Sequence, residues 1–170
     1  DVGLDARVFN YLFLSNQQVA DVIADPRIMG VSLTGSSRAG RDVASIAGTH
    51  LKRVVLELGG SDPFIVCDDA DIPAAAETAV KARFGNAGQV CISAKRFILH
   101  HTIAAAFQEQ FLAHLKKLTL GDPLNTSTTL GPLARKDIRD RIAEQVEQSL
   151  SQGAEILYQA DTIPEKGWFY

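Results

Sequence analysis

The sequence predicts an α/β protein with a largely parallel sheet. Apolar runs rich in β-branched and aromatic residues alternate along the chain with stretches of helical periodicity. Turn and cap residues (Gly, Pro, Asp and Ser) sit at the joints. The composition is globular, with 46% hydrophobic and 22% charged residues over 170 positions. A chain of that length can bury a core without disulfides or a metal.

Residues 8–14 (VFNYLFL) read as a buried strand. A short helix over 16–24 puts Val19, Val22 and Ile23 on one face and stops at Asp25-Pro26. Residues 28–33 form the next strand, and 36–47 a helix closed by Gly48 as its C-terminal glycine. Strands over 53–58 and 64–67 flank the turn Gly59-Gly60-Ser61-Asp62-Pro63. Asp71 caps a helix over 72–84. A strand over 95–100 precedes an amphipathic helix over 103–118, with Phe107, Phe111, Leu112 and Leu115 facing inward. A polar loop, 121–131, leads to a long helix over 136–152 that ends at Gly153. Residues 154–158 form a last strand, and the chain finishes on the strand-like Gly167-Trp168-Phe169-Tyr170.

Seventeen basic against twenty acidic residues give a net charge of −3, which argues against a nucleic-acid binder but not against a local anion site. No apolar run approaches a membrane span, so no membrane partner is expected. No leader is visible at Asp1-Val2-Gly3-Leu4-Asp5. With only Cys67 and Cys91, reduced thiols and a cytoplasmic location are the expectation. His50, His100, His101 and His114 show no zinc-site spacing, and His100 and His101 would point to opposite faces of a strand. Asp68-Asp69-Ala70-Asp71 lacks an EF-hand's glycine and closing glutamate and reads as a helix cap; no metal is expected.

Three segments could carry chemistry. Thr34-Gly35-Ser36, with Gly40 and Arg41, joins a strand to a helix. The free N–H groups of a first helical turn favour an anion such as a cofactor pyrophosphate. It is not Gly-x-Gly-x-x-Gly, and Arg41-Asp42 stands where a P-loop has Lys-Ser/Thr; taken alone, Ser36 as an ordinary N-cap is the better explanation. In Val55-Leu56-Glu57-Leu58-Gly59-Gly60 a carboxylate precedes a Gly-Gly turn. Apolar burial would raise it toward a general base, whereas strand alternation would leave Glu57 on a wet face. In Gly85-Asn86-Ala87-Gly88-Gln89-Val90-Cys91 a glycine-rich turn delivers a cysteine. Backbone N–H groups there could steady a thiolate and an oxyanion formed at it. The alternative, a buried inert cysteine, suits Cys67 better. A cysteine protease would need a partnered histidine, and no motif supplies one.

With these segments in view, the sequence resembles the NAD(P)-dependent aldehyde dehydrogenase superfamily. Thr34-Gly35-Ser36, Glu57-Leu58-Gly59-Gly60 and Gly88-Gln89-Val90-Cys91 come in the family's order, with 34 positions from glutamate to cysteine. The likeness extends over 64–71, Gly121-Asp122-Pro123 and Leu130-Gly131-Pro132, so it covers essentially the whole chain. Residues 56–66, 88–98 and 130–140 look closest to bacterial succinate-semialdehyde dehydrogenases. The resemblance implies that Cys91 is the nucleophile and that Glu57 activates the water that hydrolyses a thioester. It also implies that Gly35 and Ser36 lie against NAD or NADP, with Leu58 and Gly59 beside the nicotinamide. The substrate would be a small-molecule aldehyde and the assembly a homo-oligomer.

Leu33 stands where the family more often has Phe, and Ser61 where it has Lys or Asn. The resemblance also implies groups outside this chain: an oxyanion-hole asparagine, ribose contacts and an oligomer-building strand. The start without Met and the aromatic end therefore read as the middle of a longer enzyme, inactive alone. Residues 1–58 would end a Rossmann-like cofactor domain and 59–170 would begin the catalytic domain, with the two active residues on either side of the junction. The competing reading is a catalytically inert dehydrogenase fragment with a structural or binding role.

Overall fold

The computed structural model describes residues 3, 5 and 7–170; positions 1, 2, 4 and 6, and the leader reading that rests on them, lie outside it. The chain divides into two compact units, Asp1–Gly59 and Gly60–Tyr170.

In the first unit, α1 (Asn16–Ala24) is started by a capping box. The Ser15 side chain accepts from the Gln18 N–H while Gln18 reaches back to the Ser15 N–H. Ile23 is buried and Val19 packs beside it, as the periodicity predicts. Strand β1 (Gly30–Gly35) leads through α2 (Ser37–Thr49) to β2 (Arg53–Leu58), which pairs with β1 in parallel. Val31, Leu33 and Val54 pack on Ile23, Val43 and Ala47, so both helices share one small core with the sheet. A Cβ on Gly40 would stand 2.9 Å from both Leu58 methyls. That glycine lets α2 approach β2.

In the second unit, β3 (Asp62–Val66) pairs in parallel with β4 (Ala94–Leu99). Between them run α3 (Ile72–Phe84), capped by Asp71 Oδ1 on the Ala74 N–H, and a 3-10 turn, Gly85–Gly88. Helix α4 (Ala104–Leu115) packs beside α3 over the sheet. Val66, Ala76, Ala79, Ile103 and Phe107 form the core, with Phe64, Phe97 and Phe111 closing it at ring-centroid distances of 5.3–6.5 Å. Helix α5 (Lys136–Ser151) follows the 121–131 loop.

The α/β class holds, yet among the described residues the parallel sheet is two separate pairs of strands. Residues 8–14 and 154–158 are not strands, because among the described residues no strand offers either a ladder. Helix α2 does not end at Gly48. It runs through Thr49, and Leu51 (φ 55°) takes the left-handed position instead. The predicted helix over 103–118 is shorter at both ends, because residues 116–118 close as a turn. His100 and His101 lie beyond β4 with their ring centroids 4.5 Å apart, not on opposite faces of a strand.

Candidate active site

The parallel register of the first unit sets Thr34 opposite Glu57 and Gly35 opposite Leu58. The Thr34-Gly35-Ser36 turn and the Glu57-Leu58 pair therefore share the carboxyl edge of one sheet, the edge where open α/β sheets bind ligands. Ser36 caps α2, accepting from the Ala39 N–H at 3.2 Å. The N–H groups of Ser37 and Arg38 precede any possible intrahelical bond and face the same end. A Cβ on Gly35 would meet only Leu33 carbons, at 3.8 Å, and one on Gly59 would meet nothing within 4 Å. The backbone there is open to close approach, and a cofactor phosphate fits such a cradle.

Glu57 is exposed, as are Gly35, Ser36 and Gly59, while Leu58 is half-buried. The apolar burial expected around the carboxylate is not found. Strand alternation puts Glu57 on the open face of a sheet that carries its helices on the other.

Cys91 belongs to the second unit. It sits in a turn closed by the Ser93 N–H on the Val90 carbonyl at 3.1 Å, just before β4. The preceding residues Asn86 (φ 51°), Ala87 (φ 53°) and Gly88 (φ 73°) are all left-handed. A Cβ on Gly88 would lie 3.0 Å from the Arg83 carbonyl, so glycine is needed for space as well as for conformation. Lys95 Nζ donates to the Val90 and Ser93 carbonyls at 3.4 and 3.2 Å. A Cβ on Gly60 would stand 3.5 Å from the Cys91 carbonyl, which places the start of this unit beside the cysteine turn.

Both cysteines are free and exposed. Cys67 is not the buried, inert thiol its sequence context suggests, because β3 ends one residue before it. Among the described residues no group of three or more His, Cys, Asp or Glu is arranged to hold a metal. Among the described residues no helix is long and apolar enough to cross a membrane. Arg96 donates to the Ser61 carbonyl at 2.9 Å and joins β4 to the entry of β3.

Sequence reasoning quoted Gln89 without giving it a task. Its Oε1 accepts from the Ala134 N–H at 3.0 Å, tying the cysteine loop to a segment 45 positions away. No local pattern carries a contact of that range.

A βα turn open to close approach in the first unit and an exposed, loop-borne cysteine in the second are features of an α/β chain. The chain belongs to the aldehyde dehydrogenase family, whose model matches residues 1–170. It is 46% identical over 170 residues to a succinate semialdehyde dehydrogenase [NAD(P)+] of Escherichia coli, covering 100% of this chain and 37% of the relative. It is 45% identical over 168 residues to a succinate-semialdehyde dehydrogenase [NADP(+)] of Mycolicibacterium paratuberculosis, covering 99% and 36%. The solved succinic semialdehyde dehydrogenase of Streptococcus pyogenes, in complex with NADP+, matches with a TM-score of 0.89 and 42% identity, covering 94% and 35%. The chain thus spans little more than a third of the length of these relatives.

Proposed function

We propose that this segment carries the nucleophile and the base of an aldehyde dehydrogenase that oxidises succinate semialdehyde to the acid with NAD or NADP. The observation that carries the reading is Cys91. Its thiol is exposed on a turn that follows three left-handed residues, in a chain 46% identical to a succinate semialdehyde dehydrogenase.

In this reading the Cys91 thiolate attacks the aldehyde carbon, forming the C–S bond of a thiohemiacetal. The Cys91 backbone N–H steadies the oxyanion. A bound nicotinamide would supply the hydride acceptor, and removal of hydride from that carbon would leave a thioester on Cys91. Glu57 takes a proton from water as it attacks the thioester carbonyl. The C–S bond then breaks, releasing the acid and restoring the thiolate, and Glu57 gives its proton up to solvent. Gly35 and Ser36 would hold the cofactor's phosphates, and Leu58 and Gly59 would lie near the nicotinamide. Residues 1–58 then end the cofactor domain, and 59–170 begin the catalytic domain. The free thiols fit a reducing cytoplasm, and the enzyme is a homo-oligomer.

A second reading, an inert dehydrogenase segment with a binding or structural role, draws on the 37% span. The test is NAD(P)H formation from succinate semialdehyde with each cofactor, beside Cys91→Ala. It is run on the chain itself and on the E. coli relative carrying this segment in place of its own. Turnover that depends on Cys91 in either form supports the dehydrogenase. A folded exchange protein that turns over no faster than its Cys91→Ala control sinks it and leaves the inert reading.

A further inference from the structure

We propose that Gln89 is a positioning residue for Cys91, a strut between the cysteine loop and the fixed segment before α5; this rests on Cys91 being the nucleophile. The Gln89 side chain is used at both ends. Its Nε2 donates to the Asn86 carbonyl at 3.1 Å, and its Oε1 accepts from the Ala134 N–H at 3.0 Å. Its backbone N–H donates to the same Asn86 carbonyl at 3.1 Å, and Asn86 Nδ2 donates back to the Gln89 carbonyl at 3.3 Å. One residue thus closes the loop on itself and ties it to a distant strand of backbone.

The far end of the strut is anchored. Leu133, next to Ala134, is 7% exposed, and its N–H donates to the Trp168 carbonyl at 2.9 Å. Leu130 bridges to Leu120, and the Gly121 N–H donates to the Leu130 carbonyl at 3.2 Å. The near end needs holding. Asn86 and Ala87 are left-handed residues with side chains, a conformation L-residues leave unless it is enforced. Burial enforces it only in part: Asn86 is exposed and Ala87 half-buried, and Val90, Cys91 and Ile92 further along are all exposed. The hydrogen bonds centred on Gln89 therefore hold the loop, and Gln89 is two residues from the sulfur. A nucleophile displaced by about 1 Å can lose about a hundredfold in rate.

Alkylation of both thiols by iodoacetamide, followed by peptide mass spectrometry in the full chain, tests this. Cys67 serves as the reference thiol. In the parent chain Cys91 reacts faster than Cys67. In Gln89→Ala that ratio falls about tenfold. In Gln89→Glu, which keeps the acceptor for Ala134 and loses the donor to Asn86, it falls by less. A merely structural role would loosen the unit and move both thiols together, leaving the ratio unchanged. Amide hydrogen exchange at Ala134 quickens in Gln89→Ala and stays slow in Gln89→Glu. A ratio preserved in both folded variants overturns the proposal alone, as does unchanged exchange at Ala134 in Gln89→Ala. Cys91 no faster than Cys67 in the parent overturns the nucleophile reading, and the proposal with it. Where Gln89→Ala does not fold, by circular dichroism, the ratio in Gln89→Glu decides.

Discussion

Leu51 is a leucine where the backbone asks for glycine. At the end of α2 the Lys52 N–H donates to the Ala47 carbonyl at 2.9 Å, and the Leu51 N–H to the Gly48 carbonyl at 3.1 Å. That pair of bonds is a Schellman closure, whose left-handed residue is Leu51 at φ 55°. Its side chain is 94% exposed, so strain is not offset by burial. Leu51→Gly should stabilise the chain by about 1 kcal/mol, read as a higher urea midpoint. Glu57 offers a chemical counterpart. With Glu57 as the base, Glu57→Gln should form one equivalent of NAD(P)H per site and then stall at the thioester. Steady-state turnover would drop by about 10²–10⁴-fold while the first burst survives. Stopped-flow absorbance separates the two, and loss of the burst as well would move Glu57 to an earlier step.

Elements with their own start signals were legible in the sequence, as were the four strands that pair; which further apolar runs would find a partner was not. Ser15 with Gln18 opens α1, and Asp71 opens α3, each bond spanning three positions. Both helices fall where the sequence puts them. The runs 8–14 and 154–158 carry strand-like residues too, but a strand exists only where a neighbour supplies the ladder. The same distinction divides the candidate site. Glu57 and Cys91 are visible in short motifs, whereas the pairing of Thr34 with Glu57 and the bond from Ala134 to Gln89 belong to the fold. Helix α5 carries a pH signature. Arg135 grips Asp137 in its first turn, Nε to Oδ1 at 2.8 Å and Nη2 to Oδ2 at 2.6 Å. Those hydrogen bonds hold the Asp137 carboxyl down at about 2. A carboxyl depressed on folding stabilises above its unfolded value of about 4, and that gain is lost as pH falls through about 2. In denaturant titrations the parent should exceed Asp137→Asn at pH 5 and converge on it toward pH 2. A constant gap would assign the difference to something other than this charge.

Across the whole molecule, each small sheet buries one face and leaves the other bare. Val55 stands 56% exposed in the first unit, and Ile65 and Ile98 stand 66% and 52% exposed in the second. Phe9, Tyr11 and Phe13 add further uncovered apolar surface. Bare sheet faces of this kind favour association. Sedimentation velocity on the chain should show mass rising with concentration. The double replacement of Ile65 and Ile98 by Thr should reduce that rise while changing stability by no more than about 0.5 kcal/mol. A strictly monomeric parent would contradict the expectation. The ladder that pairs Thr34 with Glu57 has a different kind of consequence. Hydrogen bonds between main chains set that separation, so it comes in whole-residue steps. Neighbouring side chains can drift through many substitutions without disturbing it. A single inserted or deleted residue that slips the pairing by one position turns the carboxylate to the opposite face. In this part of the molecule, tolerance to substitution and intolerance to a change of length have one origin.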